Sequence, residues 1–93
     1  MLIGVPKEIK MREYRVGLVP ANVRELVAHG DEVIVESGAG NGIGALNQQY
    51  QAANATMVKS AQEIFERAQL IIKVKKPQAI VRKWLKPGQI LFT

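Results

Sequence analysis

One short segment, Leu70 to Pro77, constrains the fold of this chain more than any other. Its sequence, Leu-Ile-Ile-Lys-Val-Lys-Lys-Pro, begins with apolar residues, is too short for an ordinary helix and ends at a proline. Such a run is typical of a strand that is buried on both faces of a parallel sheet. Side-chain alternation places Ile71, Lys73 and Lys75 on the same face. Because α/β folds bind ligands at the carboxyl ends of their strands, these lysines predict water or an anion beside them.

The other apolar runs and helix signals predict the rest of the architecture. Four further strands are expected at Leu2–Val5, Glu32–Glu36, Ala55–Val58 and Gln89–Phe92. Helices are expected at Pro20–His29, Asn47–Ala53, from Ser60 to about Ala68, and at Gln78–Leu85. Strands that alternate with helices predict parallel pairing through right-handed crossovers. The sequence therefore predicts an α/β fold, a three-layer, doubly wound (Rossmann-like) sheet of five parallel strands in the order 3-2-1-4-5.

Three local signals support the predicted helix ends. Pro20 suits the first helical position, where a missing N–H has no consequence. Ser60 and Glu63 have the spacing of a capping box, and Asn47 is a candidate cap for the helix that follows it. Asn54 suits the left-handed position that ends that helix. The sequence thus predicts where these helices begin and end, independently of their apolar faces.

The predicted strand order brings two cations to one crevice. Strand one would lie beside the Leu70 strand, and the topological switch point would fall between them. The charged segment from Lys7 to Arg15 leaves strand one there, and we expect an ordered but solvated loop. Arg15 and Lys75 would then converge on a site that suits a carboxylate, and Lys75 could also polarise a carbonyl oxygen. Glu8 could pair with either cation, and the alternatives are a bland surface acid and a lysine that extends into solvent.

The glycine-rich segment from Ser37 to Gly44 is the other candidate motif. Gly40, Gly42 and Ala45 match the looser dinucleotide-binding pattern G-x-G-x-x-G/A. That motif belongs on the first strand of its unit, contains the start of a helix, and needs an acidic residue after the next strand, where this chain has Lys59. We therefore predict a flexible surface connection here and no cofactor-binding residue.

Composition excludes several classes of function. The chain has 93 residues, no cysteine, one histidine and a formal charge of +5, so it is one small domain without a thiol nucleophile or an obvious metal site. His29, near a helix end, is expected to interact with the helix dipole. The basic residues are dispersed and the aromatic residues form no stacking platform, which argues against nucleic acid. Lys7 and Lys59 stand where a phospho-receiver domain needs acids. No signal sequence or membrane span is recognisable, so a cytoplasmic location is expected.

The order of several segments resembles a known family over the whole chain. They are Ile3-Gly-Val-Pro-Lys-Glu-Ile-Lys, Glu13-Tyr-Arg-Val, Val35-Glu-Ser-Gly-Ala-Gly, Lys73-Val-Lys-Lys-Pro and Leu85-Lys-Pro-Gly-Gln-Ile-Leu-Phe-Thr. They resemble the amino-terminal region of alanine dehydrogenase and, more distantly, the alpha subunit of proton-translocating nicotinamide nucleotide transhydrogenase. At this strand the transhydrogenase branch has a sequence similar to Lys-Val-Asn, where this chain has Lys-Val-Lys. Lys75 therefore favours the dehydrogenase.

The resemblance implies a function for the parent enzyme. Residues 1–93 would form the first part of the substrate domain of an NAD-dependent enzyme that interconverts L-alanine and pyruvate, in L-alanine catabolism. It places the family's substrate-binding arginine and lysine at Arg15 and Lys75. Glu8 would then contact these two residues and not the substrate itself. The catalytic histidine would come just after Thr93, and the NAD-binding domain later still. The segment alone would hold no catalytic, cofactor-binding or metal-binding residue and would be inactive.

The resemblance also bears on partners. It implies pyruvate or L-alanine as the ligand, and the remainder of the enzyme or sister subunits of a homo-oligomer as partners, with no nucleic acid and no membrane. A different class of function remains open, namely a non-enzymatic binding or assembly module. The unpaired edge of the fifth predicted strand could then pair with another chain.

Overall fold

A computed structural model describes residues 1–8, 16–74 and 85–93 of the chain. The strands are β1 (Leu2–Val5), β2 (Glu32–Glu36), β3 (Thr56–Val58), β4 (Leu70–Ile72) and β5 (Ile90–Phe92). The helices are α1 (Pro20–Ala28), α2 (Asn47–Ala52) and α3 (Ala61–Arg67), and a short 3₁₀ helix spans Asn41–Ile43. All the described strand pairs are parallel, and the order is β3-β2-β1-β4-β5. The predicted doubly wound topology is confirmed.

β1 is the third of the five strands across the sheet, with β2 paired to one edge and β4 to the other. Ile3 lies opposite Val33 of β2 on one side and Leu70 of β4 on the other. Gly4 lies under α3, where an added Cβ would approach Ile64 Cγ2 to 2.6 Å. The absence of a side chain at Gly4 therefore allows α3 to pack closely against the central strand.

Apolar side chains cover both faces of the sheet. Alternation along β2 directs Val33 and Val35 into one cluster and Ile34 into the other. The first cluster includes residues of α1 and α2, and the second is built around α3: Ile3, Val5, Val23 and Tyr50 belong to the first, and Ile64, Phe65, Ala68 and Ile71 to the second. Helices therefore lie on both faces of the sheet, as the predicted three-layer arrangement requires.

Most of the predicted helix ends are confirmed. Pro20 is the first residue of α1. Ser60 precedes α3, and its Oγ accepts a hydrogen bond from the Glu63 N–H at 3.3 Å. Asn54 follows α2 with a φ of 74°. The prediction that Asn47 caps α2 is wrong, because Asn47 is already the first helical residue.

The Leu70 strand is shorter than predicted. Regular pairing of β4 ends at Ile72, although the Lys73 N–H still donates to the Phe92 carbonyl at 2.9 Å. The predicted helix Gln78–Leu85 lies outside the described residues except for Leu85, which packs against the α3 cluster. The description of this part of the chain therefore stops at Val74, just after β4, and resumes at Leu85.

Candidate functional site

The switch point of the sheet lies between the carboxyl ends of β1 and β4. After β1, the chain is described through Pro6, Lys7 and Glu8 and again from Val16. After β4, it is described through Lys73 and Val74. Because crossovers from β1 and β4 turn to opposite faces of a doubly wound sheet, their carboxyl ends leave a crevice between them. Crevices of this kind are the usual ligand sites of open α/β sheets.

A buried ion pair spans this crevice. The Lys73 Nζ lies 3.3 Å from Glu8 Oε1, and the two side chains are only 4% and 2% exposed. Glu8 also accepts a hydrogen bond from the Val74 N–H, through Oε2 at 3.1 Å. A buried charge requires an opposite charge and hydrogen bonds, and each partner supplies both to the other. One carboxylate therefore joins the segment after β1 to the segment after β4.

The chain returns to the same place before α1. An added Cβ on Gly17 would lie 2.5 Å from the Ile72 carbonyl oxygen and 2.9 Å from its carbon. Gly17 therefore packs its backbone against the last residue of β4, at a distance that a side chain would not allow. The segments on either side of residues 9–15 both contact the end of β4, one through Glu8 and the other through Gly17.

A second carboxylate lies on the other side of β1. Glu36, the last residue of β2, accepts a hydrogen bond from the Lys7 N–H through Oε1 at 2.8 Å. Burial raises the pKa of Glu36 because it disfavours the charged form, and the Lys7 hydrogen bond and the charges of Lys7 and Lys73 oppose that rise. The carboxyl edge at β1 thus carries a carboxylate on each side of the strand, and each accepts a hydrogen bond from a backbone N–H.

Of the residues predicted for the substrate site, only Glu8 is among the described residues. Arg15 and Lys75 lie outside the described residues, and so does most of the loop that was predicted to be solvated. Glu8 is described and is 8% exposed, so the bland surface-acid alternative is wrong for this residue. Its described cationic partner is Lys73, and the predicted pairing with Arg15 or Lys75 lies outside the described residues. Lys73 was missed although a signal existed, since it alternates in phase with the buried Ile71.

The glycine-rich segment is exposed at Ser37 and from Asn41 to Gly44, as a surface connection would be, but its middle is packed. Ala39, Gly40 and Ala45 are buried. The Ala45 N–H donates to the Gly40 carbonyl at 2.9 Å, and an added Cβ on Gly40 would come within 2.8 Å of the Tyr50 ring. Asn47 binds the segment from α2, accepting from the Gly38 N–H through Oδ1 at 2.9 Å. These contacts give the segment a structural role.

An open pocket of about 600 Å³ lies beside this segment, at the carboxyl ends of β2 and β3. Its walls include Ser37, Asn41, Asn47, Gln51 and Lys59. The described lining residues include no acid that could bind a ribose hydroxyl, and α2 begins two residues beyond Ala45. These residues do not fit the phosphate and ribose contacts of a dinucleotide.

Two other features carry no site in the described part of the chain. His29 is the exposed C-cap of α1, where its backbone N–H donates to carbonyls of the last turn. The described residues contain no cluster of acids and histidines that could hold a metal ion. Among the same residues, no helix has the length and apolar character needed to cross a membrane.

Comparison with known protein families gives a match over almost the whole chain. Residues 4–93 match the family model described as the alanine dehydrogenase/PNT N-terminal domain. The alanine dehydrogenase of Methanococcus maripaludis is 48% identical over 100% of this chain, and the alanine dehydrogenase of Bacillus subtilis is 41% identical over the same length. The chain spans about a quarter of the length of these relatives: 25% and 24%, respectively.

Solved structures show the same relationship. An L-alanine dehydrogenase superposes with a TM-score of 0.94 at 44% identity, covering 98% of this chain and 25% of that chain. A transhydrogenase from Sinorhizobium meliloti superposes with a TM-score of 0.90 at 28% identity, covering 98% of this chain and 27% of that one. The fold and the sequence thus point to one family, with the dehydrogenase branch more similar than this transhydrogenase.

Proposed function

The chain belongs to the alanine dehydrogenase/PNT N-terminal domain family, and we propose that it is the amino-terminal segment of the substrate domain of an NAD-dependent L-alanine dehydrogenase. The parent enzyme would convert L-alanine, NAD and water to pyruvate, ammonium and NADH. The observation that carries this proposal is the match of 41–48% identity to alanine dehydrogenases along the whole chain. Since the chain spans only a quarter of those relatives, we expect the segment alone to be inactive.

In this proposal the segment binds the substrate carboxylate. Arg15 would provide a bidentate guanidinium, and Lys75 an ammonium beside it. Two described features support a common site: Glu8 bridges to the residues just before Lys75, and Gly17, just after Arg15, packs against the end of β4. The substrate would therefore lie at the crevice between β1 and β4, with its carboxylate held by two cations from separate segments.

The hydride chemistry would come from outside this segment. NAD supplies hydride transfer when it is bound, and we propose that another part of the enzyme holds this cofactor. The resemblance also places the catalytic histidine after Thr93. The contribution of this chain is binding and orientation of pyruvate or L-alanine. We further propose a cytoplasmic homo-oligomer, as the family resemblance implies.

The first test is an activity assay of the complete polypeptide that carries this chain and of residues 1–93 alone. Pyruvate-dependent oxidation of NADH in the presence of ammonium is expected for the complete polypeptide and not for the segment. Arg15→Ala and Lys75→Ala should each raise the KM for pyruvate by about 10-fold or more, as expected for loss of a charge-assisted contact. Turnover by residues 1–93 alone would contradict the proposal that the segment is inactive.

Lys86 provides a matched control for these lysine and arginine substitutions. Its Nζ donates to the Glu66 carbonyl at 2.6 Å, and it lies near the amino end of β5, at the opposite edge of the sheet. Lys86→Ala removes one positive charge from the same domain without touching the crevice. We expect it to leave the KM for pyruvate unchanged. An equal rise in KM for Lys86→Ala would show that overall charge, and not a carboxylate site, determines affinity.

A segment of a transhydrogenase alpha subunit is the second candidate function. The structural similarity to the Sinorhizobium meliloti transhydrogenase, at 28% identity, favours it. The two candidates are separated by their substrates, because a transhydrogenase transfers hydride between two nicotinamide nucleotides without alanine or pyruvate. Hydride transfer between nucleotides, together with no alanine-dependent reduction of NAD, would favour the transhydrogenase.

A non-enzymatic assembly module is supported by one observation, the exposure of Ile90 and Phe92 on β5 at 52% and 67%. Apolar residues on a strand without a described second neighbour could pair with another chain. Light scattering over a concentration series tests this for residues 1–93, and a monomer at every concentration would contradict it.

A further inference from the structure

We propose that three residues, Glu8, Gly17 and Lys73, form a positioning clamp that holds the two described ends of the connection between β1 and α1 against the end of β4. The clamp would set the spacing between Arg15 and Lys75 and thereby the affinity for the substrate carboxylate. The inference rests on the proposed carboxylate site and assigns a role to residues beyond the two proposed ligands. It is carried by contacts at both ends of the loop.

The first contact replaces strand pairing where β1 and β4 part. Their described register has two pairs, Ile3 with Leu70 and Gly4 with Ile71. Beyond these pairs, the Val74 N–H donates to Glu8 Oε2 at 3.1 Å, whereas the Lys73 N–H donates to Phe92 of β5. Alternate N–H groups of a parallel strand point to opposite neighbours. The Glu8 carboxylate thus takes the position of an acceptor on the β1 side.

The charge of Lys73 makes this contact strong and specific. Lys73 Nζ lies 3.3 Å from Glu8 Oε1, with both side chains almost fully buried. One carboxylate therefore binds a side chain and a backbone N–H from two successive residues of the chain. The same pair neutralises Lys73, so Lys73 does not add an unpaired positive charge beside the proposed site.

The second contact fixes the other end of the loop. Gly17 packs against the Ile72 carbonyl, which an added Cβ would approach to 2.5 Å. Ile72, Lys73 and Val74 are consecutive, so the chain before residue 9 and the chain after residue 15 contact the same three-residue segment. Arg15 is two residues before Gly17 in the sequence, and Lys75 directly follows Val74. A shift at either contact would therefore be transmitted to a proposed ligand through very few bonds.

The test uses the complete polypeptide that carries this chain, with pyruvate, ammonium and NADH as substrates. Glu8→Gln and Gly17→Ala should each raise the KM for pyruvate by about 10- to 100-fold, the range expected when charge-assisted contacts are lost. The KM for NADH should stay within about 2-fold of the parent value, because none of the described clamp residues fits a dinucleotide site. A defect confined to one substrate separates positioning from general loss of structure.

Gly4→Ala is the matched control for Gly17→Ala. An added Cβ at Gly4 would approach Ile64 and Ala68 to 2.6 and 2.7 Å, so this variant also introduces a steric clash. The clash lies under α3 and not at the loop. We expect a lower thermal midpoint with an unchanged KM for pyruvate. If Gly17→Ala raises that KM no more than Gly4→Ala does, the clamp proposal is overturned.

A double variant, Glu8→Leu with Lys73→Met, covers the case in which Glu8→Gln does not fold. It removes both charges together, so no buried charge is left unpaired, and such apolar replacements are often tolerated. The bridge to Val74 is also lost, and the KM for pyruvate should remain at least about 10-fold above the parent value. Return of the parent KM would show that the pair serves stability alone.

The ligand variants separate failure of the clamp from failure of the proposed function. If Arg15→Ala and Lys75→Ala raise the KM for pyruvate while the clamp variants do not, the carboxylate site stands and the clamp proposal is overturned. If the unaltered enzyme does not use pyruvate, or if neither ligand variant affects its KM, the carboxylate site fails and the clamp proposal fails with it.

Discussion

The chain leaves β1 and β2 at the same edge of the sheet, but the two exits are built from different chemistry. After β1, a buried glutamate and a buried lysine pair across the crevice to β4. After β2, neutral groups hold the glycine-rich segment: Asn47 Nδ2 donates to Ser37 Oγ at 2.7 Å, and Asn47 Oδ1 accepts from Gly38. A buried ion pair thus fixes the exit from β1, whereas hydrogen bonds between neutral groups fix the exit from β2.

The two exits also differ in how strongly they stand out in the sequence. The glycine pattern after β2 is conspicuous, yet Gly40 serves close packing against Tyr50 and Ala45. The exit from β1 carries no motif of comparable length, and its key pair is separated by 65 residues. Substitutions at the ion-paired exit from β1 and at the neutral exit from β2 should therefore differ in their effect on stability and on its pH dependence.

The largest effect is expected from breaking the buried ion pair. Glu8→Leu leaves the Lys73 ammonium buried without its described counter-charge and should lower the free energy of unfolding by about 3–5 kcal/mol. Adding Lys73→Met should recover most of that loss. Urea unfolding monitored by circular dichroism measures both variants. If Glu8→Leu alone lowered the free energy of unfolding by less than Glu8→Leu with Lys73→Met does, the ion pair could not be the main source of stability at this exit.

A smaller loss is expected from Gly40→Ala at the exit from β2. Its Cβ would meet Ala45 Cβ and the Tyr50 ring at 2.8 Å, and overpacking of this kind costs about 1–3 kcal/mol. The same urea titration measures the loss. The KM for pyruvate should not change, in contrast to Gly17→Ala. A raised KM would mean that the two exits act on one site, and the glycine-rich segment would have to be reconsidered as part of it.

Tyr50 gives the neutral exit a distinctive response to alkaline pH. Burial raises the pKa of Tyr50 to about 12, and its hydroxyl donates to the Leu18 carbonyl at 2.7 Å. In the unfolded chain the tyrosine would ionise near its ordinary pKa of 10.0, so this residue stabilises the fold below pH 10 and loses that contribution as pH rises to about 12.

Tyr50→Phe tests this response. At neutral pH the variant should lose about 0.5–1.5 kcal/mol with the hydrogen bond. Between pH 8 and pH 11, the urea midpoint of unfolding of Tyr50→Phe should fall less than that of the unsubstituted protein. Because all other titrating groups are the same in the two proteins, the difference reports on Tyr50. Parallel declines in the two proteins would show that Tyr50 does not carry the alkaline transition.

The smallest effect is expected at Glu36, which lies between the two exits. Burial raises the pKa of Glu36 above its ordinary value of 4.5. The carboxyl group therefore stabilises the fold most when protonated, and this contribution is lost as pH rises through its folded pKa. Glu36→Gln can still accept the Lys7 hydrogen bond and should gain stability relative to the parent between pH 4 and pH 7. Urea midpoints at both pH values measure the change, and a relative loss over that interval would contradict the stated direction.

The sequence alone determined the local elements and their order in the sheet. Pro20 and Ser60 marked helix starts, and Asn54 marked a helix end, because these signals act through neighbouring backbone groups. Apolar alternation and crossover handedness then gave the doubly wound topology. Both depend on covalent geometry and short-range sterics, which are the same wherever the segment lies.

Only the tertiary structure decided which side chains meet. The contacts of Glu8 with Lys73 and Val74 were not predicted from the sequence. Asn47 was expected to cap α2, and it binds the glycine-rich segment instead. Arg15 and Lys75 stay predictions as ligands of one carboxylate. Sequence periodicity specifies the face on which a residue lies, but pairing across strands depends on register, on where each strand ends and on the packing of both connections. For that reason the predicted strand order could place a crevice between β1 and β4, whereas the partner of each charged side chain depended on the tertiary structure.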